Sequence, residues 1–157
     1  MKTFVLIFLV TCCYSGGFAQ SSKLPEPHSS FAAIIVSNID SSINWYCSNL
    51  GMVLKNKTIS KERGFKQANL IRAQIHIELI ELNSTVSKKD ILKNSRSKDI
   101  RGFVKFGFVV KGFADWYSYL VKQKVKFRGR IITDDKTGKR TMIIMDPDDN
   151  MIQIFEG

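Results

Sequence analysis

The residues most able to do chemistry in this chain lie in one short stretch, Gln74-Ile75-His76-Ile77-Glu78. Polar and apolar residues alternate there with the period of a β-strand. Gln74, His76 and Glu78 therefore share one face, and Ile75, Ile77 and Leu79 the other. An imidazole and a carboxylate two residues apart on one strand face can serve as two ligands to a divalent metal, and the carboxylate alone as a base. A firm metal site takes three or four protein ligands, so this pair alone defines none. The simpler reading of His76 is a hydrogen-bonded strand residue. Asp146 and Asp148 look like a catalytic carboxylate pair, but they flank Pro147, where such residues cap a tight turn. Cys47 sits beside an apolar helical pattern with no polarising neighbour, as a structural thiol does. His28 falls in a polar lead-in. The chain contains no Gly-rich phosphate loop, no Ser-His-Asp pattern and no CxxC pair.

The N-terminus reads as a leader. Met1-Lys2 is followed by the apolar run Phe4 to Val10, and Gly17 and Ala19 are small residues at −3 and −1 of a cleavage site. This pattern predicts a signal peptide over residues 1–19 and an exported protein, periplasmic or secreted. The run is too short to span a hydrocarbon core, which takes about 20 residues, so no stable membrane insertion follows cleavage. Lipoprotein anchoring through Cys12 or Cys13 is disfavoured because no Gly, Ala or Ser precedes either. With those two residues removed, Cys47 is left alone and no intrachain disulfide can form. The chain holds 24 Lys+Arg against 14 Asp+Glu, a net charge of +10. These cations are scattered rather than interleaved with stacking aromatics, which argues against a nucleic-acid partner and for modest attraction of anionic small molecules.

The elements that must position these residues follow from periodicity. Residues 20–29 carry two prolines and form a flexible lead-in. The continuous apolar run Phe31 to Val36 predicts a strand buried on both faces. Cap candidates from Ser37 to Ser42 open a helix bearing Ile43, Trp45-Tyr46 and Leu50, which Gly51 ends. Residues 54–83 hold two or three strands, and 84–101 a polar, basic connector. The order then repeats. A strand runs over 103–110, a helix over 111–124 with Trp116-Tyr117 on its core face, and an extended segment over 125–132. A turn at 134–139, a strand over 140–145, a tight turn and a last strand over 151–155 complete the chain. The predicted fold class is α+β, with two βαβββ modules, 30–83 and 102–156, in one domain spanning residues 30–156.

Two motifs carry a resemblance. Val36-Ser37-Asn38-Ile39-Asp40-Ser41-Ser42-Ile43-Asn44-Trp45-Tyr46 with Leu50-Gly51-Met52 resembles the opening of vicinal oxygen chelate proteins: glyoxalase I, bleomycin-resistance proteins and extradiol dioxygenases. Asp146-Pro147-Asp148-Asp149-Asn150-Met151-Ile152-Gln153-Ile154-Phe155-Glu156 resembles their closing D-P-D-G-N-x-I-E-L-x-E. The resemblance implies sheets curled around an open cavity, and in metal-dependent members one divalent ion held by four side chains. Carried onto this chain, the four slots fall on Phe31, Glu78, Lys105 and Gln153. Phenylalanine has no donor pair, and a lysine ammonium has none free. Glutamine offers a carbonyl oxygen more weakly than a carboxylate does. Only Glu78 is a strong ligand, so the expectation is no standard metal and no cofactor.

Function is read accordingly. The leading expectation is metal-independent binding of a small anionic or aromatic molecule by Phe31, Gln74, His76, Glu78, Lys105 and Gln153, with Lys105 replacing the cation and pairing with Glu78. An alternative is a glyoxalase-like lyase, isomerase or dioxygenase, with an unusual metal site at His76 and Glu78 or with Glu78 as base. A third reading is a non-catalytic interaction module, since members of the family commonly pair as homodimers.

Overall fold

The computed structural model describes residues 29–96 and 100–157. The leader, most of the lead-in and His28 lie outside the described residues. Strand β1 (Ala32–Ile35) leads into helix α1 (Ile39–Leu50), then β2 (Val53–Ser60), β3 (Phe65–Arg72) and β4 (Ile75–Leu82). A short helix α2 (Lys88–Leu92) sits in the connector. It is followed by β5 (Lys105–Val110), α3 (Phe113–Lys122), β6 (Lys126–Phe127), β7 (Ile132–Thr133), β8 (Arg140–Met145) and β9 (Met151–Glu156). The strands form two sheets, ordered β1-β4-β3-β2 and β5-β9-β8-β6, with β7 added beside β8. In both, the first strand runs parallel to the last, and the remaining full-length pairings are antiparallel. This is the expected α+β architecture of two βαβββ modules, with curled sheets and no closed barrel. Among the described residues no helix is long and apolar enough to cross a membrane.

Helix α1 starts where expected because Asn38 is extended and its side-chain oxygen accepts from the Ser41 backbone N–H, satisfying one of the free donors of the first turn. It stops because Gly51 takes the left-handed conformation at φ 60°. One face of each sheet packs on its helix. Ile34, Ala68, Leu70, Ile77 and Leu79 from the first sheet join Val110, Met142, Ile144, Ile152 and Ile154 from the second in a single buried cluster with Ile39, Tyr46, Leu50, Phe113 and Leu120. The other face of each sheet is left open.

Several expectations change in detail. The run from Phe31 to Val36 is not buried on both faces: Ile34 and Val36 are buried, while Ile35 is 53% and Phe31 70% exposed. An all-apolar sequence hides this alternation, because both faces read alike. Phe31 and Gln74 precede their strands. The segment 125–132 is mostly loop, holding only the two-residue strand β6 and the first residue of β7. Helix α3 is shorter than read, because Gly112 sits in the left-handed region before Phe113. Tyr46 is fully buried, whereas Tyr117 is 39% exposed and packs edge-on against Phe127.

Candidate functional site

The open face of the first sheet is set by strand parity. Ile77 and Leu79 point to the helix, so His76 and Glu78 point away from it, as predicted. Register places Asn69 beside Glu78, Ile71 beside His76 and Ala33 on the other flank of Glu78. Phe31, His76 and Glu78 line a hollow of about 260 Å³ with Asn69 and Ile71. A neighbouring hollow of about 330 Å³ adds Gln74 and reaches Phe103, Phe106 and Phe108 of the second module. Phe31 thus lines open space rather than plugging it. The Glu78 carboxylate accepts from the Gln67 amide on the next strand, and Asn69 donates to Asn56 at 2.8 Å. Glu78 stands within a row of amides.

The second sheet repeats this geometry with different chemistry. Gly107 stands three residues before Val110 and pairs with Gln153, just as Ala33 stands three before Val36 and pairs with Glu78. Gln153 is therefore the counterpart of Glu78. Its amide donates to the Thr141 hydroxyl at 2.9 Å. Lys105 pairs with Met151, is exposed, and opens on a hollow between the two modules with Ala33, Ile35, Phe103 and Val104. The ion pair expected between Lys105 and Glu78 is not formed. Among the described residues the ion pairs are Lys57–Asp40, Lys66–Glu81, Lys126–Asp149 and Arg140–Glu156. The two residues belong to different sheets, and the Gln67 amide occupies the carboxylate. The structure thus gathers Phe31, Gln74, His76 and Glu78, sets Lys105 in an adjoining hollow, and leaves Gln153 on the open face of the second sheet.

Three features were missed. Arg128 donates its backbone N–H to Ile143 at 2.8 Å, which extends the β6–β8 ladder by one rung, and its guanidinium lies against the Met151 sulfur. Tyr46 donates its hydroxyl to Asp146 Oδ2 at 3.0 Å, tying the first helix to the last turn. Burial raises the Asp146 carboxyl above its usual range, against the lowering effect of its hydrogen bonds. Burial, then the Asp146 charge, holds the Tyr46 hydroxyl protonated. Asp146 does cap the turn as read, its Oδ1 accepting from Asp148 N at 2.9 Å and Asn150 N at 2.8 Å. Asp148 instead accepts from the Ser37 backbone N–H at 3.0 Å. Finally, Arg72 donates to the Leu50 carbonyl and stacks 4.8 Å from the Trp116 ring centroid, a further link between the modules. A tyrosine and an aspartate one hundred residues apart leave no local signal; the aromatic of the opening motif and the aspartate of the closing motif were the only clues.

The four slots do not fit a metal. Phe31 and Lys105 offer no donor pair to a cation, and Glu78 and Gln153 are each already bound to a neighbouring side chain. Among the described residues no group of three or more His, Cys, Asp or Glu side chains is placed to hold an ion.

Comparison with known proteins agrees with this geometry. The family model described as "Glyoxalase/Bleomycin resistance protein/Dioxygenase superfamily" matches residues 29–154. A glyoxalase family protein from Enterococcus faecalis superposes with a TM-score of 0.67 at 18% identity, over 83% of this chain and 97% of that one. A glyoxalase family protein from Bacillus cereus gives 0.66 at 15% identity, over 87% and 98%. The trypanothione-dependent glyoxalase I of Leishmania major gives 0.58 at 19% identity, over 79% and 82%. These likenesses establish the fold. No curated protein matches the chain. With the family model covering most of its length, the chain belongs to the glyoxalase/bleomycin resistance protein/dioxygenase superfamily.

Proposed function

We propose that this is an exported protein that binds a small molecule on the open faces of its two sheets without a metal ion. The observation that carries the reading is a combination at one place. Side chains that cannot ligate a cation, Phe31 and Lys105, occupy two of the four metal slots, while the surface around them stays open and apolar. Val109 is 66% exposed and Ile35 53%, both on first strands. Surface of this kind beside a few polar groups is what ligand sites use. Export is supported by the basic start, the apolar run and the Gly17–Ala19 cleavage pattern.

A thermal-shift screen of small anionic and aromatic compounds tests the binding, with elemental analysis of the purified protein alongside it. The expected result is stabilisation by at least one class and no stoichiometric zinc, nickel, manganese or iron. No response from any class, or about one ion per chain, sinks the reading. Mass spectrometry of protein recovered outside the cytoplasm tests export, with Gln20 as the expected N-terminus.

We also infer a homodimer, as the family resemblance implies, supported by apolar side chains exposed on α3 away from the open faces, Tyr117 at 39% and Val121 at 49%. Light scattering that finds only monomer at tens of micromolar removes it.

A further inference from the structure

We propose that the open face of the second sheet recognises an organic carboxylate, with Arg128 and Lys105 holding the carboxylate group and Val109 and Phe155 supporting an apolar body. This deepens the ligand-binding reading and rests on it.

The geometry begins with the order β5-β9-β8-β6. Register aligns Gly107, Gln153 and Ile143 on one rung, and the bond from Arg128 N to Ile143 O adds Arg128 at its end. The next rung aligns Lys105, Met151 and Met145. Phe127 packs edge-on against Tyr117 of α3, so Arg128, its chain neighbour, projects from the opposite, open face. On β5, Phe108 meets Trp116 of α3, which puts Lys105, Gly107 and Val109 on that same open face.

Arg128 and Lys105 thus start on either side of β8 and β9, the one touching the Met151 side chain and the other paired with Met151 in register. The guanidinium crosses β8 to lie on the Met151 sulfur, and Lys105 is the direct strand neighbour of Met151. Adjacent strands are about 5 Å apart, so one group resting above Met151 is within reach of both side chains.

Both cations are available. Neither belongs to any ion pair among the described residues, and Asp149, two residues before Met151, is taken by Lys126. A thioether is a weak acceptor, so contact with Met151 leaves the guanidinium donors unspent. A guanidinium in this state matches a carboxylate in planar, two-pronged geometry. Gln153, already bonded to Thr141, presents its amide at the floor of the site.

The occupant also needs an apolar part. Val109 and Phe155 are register partners on the same face, 66% and 40% exposed, one rung beyond the side-chain-free Gly107. The first sheet differs at the equivalent place, presenting the Glu78 carboxylate among amides. An anion is therefore directed to the second sheet rather than shared between the two.

The experiment is isothermal titration of the full chain with octanoate, octan-1-ol and inorganic phosphate, repeated on Arg128→Met, Lys105→Met and the helix-side control Lys122→Met. Octanoate is expected to bind at least tenfold more tightly than octan-1-ol or phosphate. Each open-face variant should weaken octanoate by about tenfold, the size of one charge-assisted contact, and leave octan-1-ol unchanged. Lys122→Met should stay within twofold of the parent. Methionine keeps the apolar stem of each cation. If Arg128→Met fails to fold, Lys105→Met and Arg128→Lys decide the matter. Octan-1-ol binding as well as octanoate overturns the anion site while the ligand-binding reading stands. Phosphate binding as well as octanoate overturns the apolar half, and therefore the proposal. Binding of none of the three overturns the proposal and counts against the broader reading too.

Discussion

Replacing Tyr46 by phenylalanine isolates the one buried side-chain hydrogen bond described above between the two modules. The ring is fully buried and remains so in the variant, leaving its packing intact. What disappears is one donor to Asp146 Oδ2, which then keeps only the Asn150 side-chain amide at 2.9 Å. A hydrogen bond to a charged, buried acceptor contributes roughly 1.5–3 kcal/mol, so a loss of about 2 kcal/mol is expected near neutral pH. The loss should also depend on pH. Burial already raises the Asp146 carboxyl, so the stability it contributes is greatest at low pH and declines as pH rises through its folded value. Removing a donor that favours the ionised form raises that value further. The penalty of Tyr46→Phe should therefore be larger at pH 7 than at pH 4. Urea unfolding at both pH values measures it, read from the midpoint at unchanged slope. Tyr46→Ala provides the packing reference, at about 3–5 kcal/mol for losing a large buried ring. A loss for Tyr46→Phe under about 0.5 kcal/mol at pH 7 would refute the reasoning.

Three further outcomes are expected. The Arg140 guanidinium and backbone N–H hold the Glu156 carboxyl down at about 2, so its contribution is present above the ordinary 4.5 and lost as pH falls toward 2. Glu156→Gln should flatten the acid limb of the stability curve over that interval, as acid titration followed by circular dichroism will show. Gly51→Ala places a side chain at φ 60° and sets its Cβ 3.0 Å from the Arg72 guanidinium, so thermal unfolding should report a cost of about 1–2 kcal/mol. Gly107→Ala brings a Cβ to 2.5 Å of the Gln153 backbone oxygen. Strand β5 must shift away from β9, and amide exchange at position 107 and at Phe108 should speed up well beyond that of β3.

The fold was readable because its signals are local. Asn38 and Gly51 mark the ends of α1, and His76 and Glu78 alternate with core residues on β4. Where local signals vanish, the reading fails for physical reasons. A run of apolar residues such as Phe31 to Val36 does not say which face is covered, and coverage decides whether Phe31 fills a cavity or lines one. The pairing assumed for Lys105 and Glu78 followed from shared slots, but slots on different sheets impose no contact, and the nearer Gln67 took the carboxylate. Arg128 carries no motif at all. Its place on the open face depends on a two-residue strand, too short for any periodicity to announce.

The bond between Tyr46 and Asp146 has a consequence for how far either half of the chain is complete alone. The first half of the chain holds its own helix, sheet and most of its contacts, but no acceptor for the phenol at its centre. That acceptor lies one hundred residues later, in a turn formed only once β8 and β9 have paired. Without it, a native-like first half would keep a donor unsatisfied or leave its core ajar. The buried phenol of the first half is thus satisfied within the protein only by a residue of the second, so neither half holds a complete core alone.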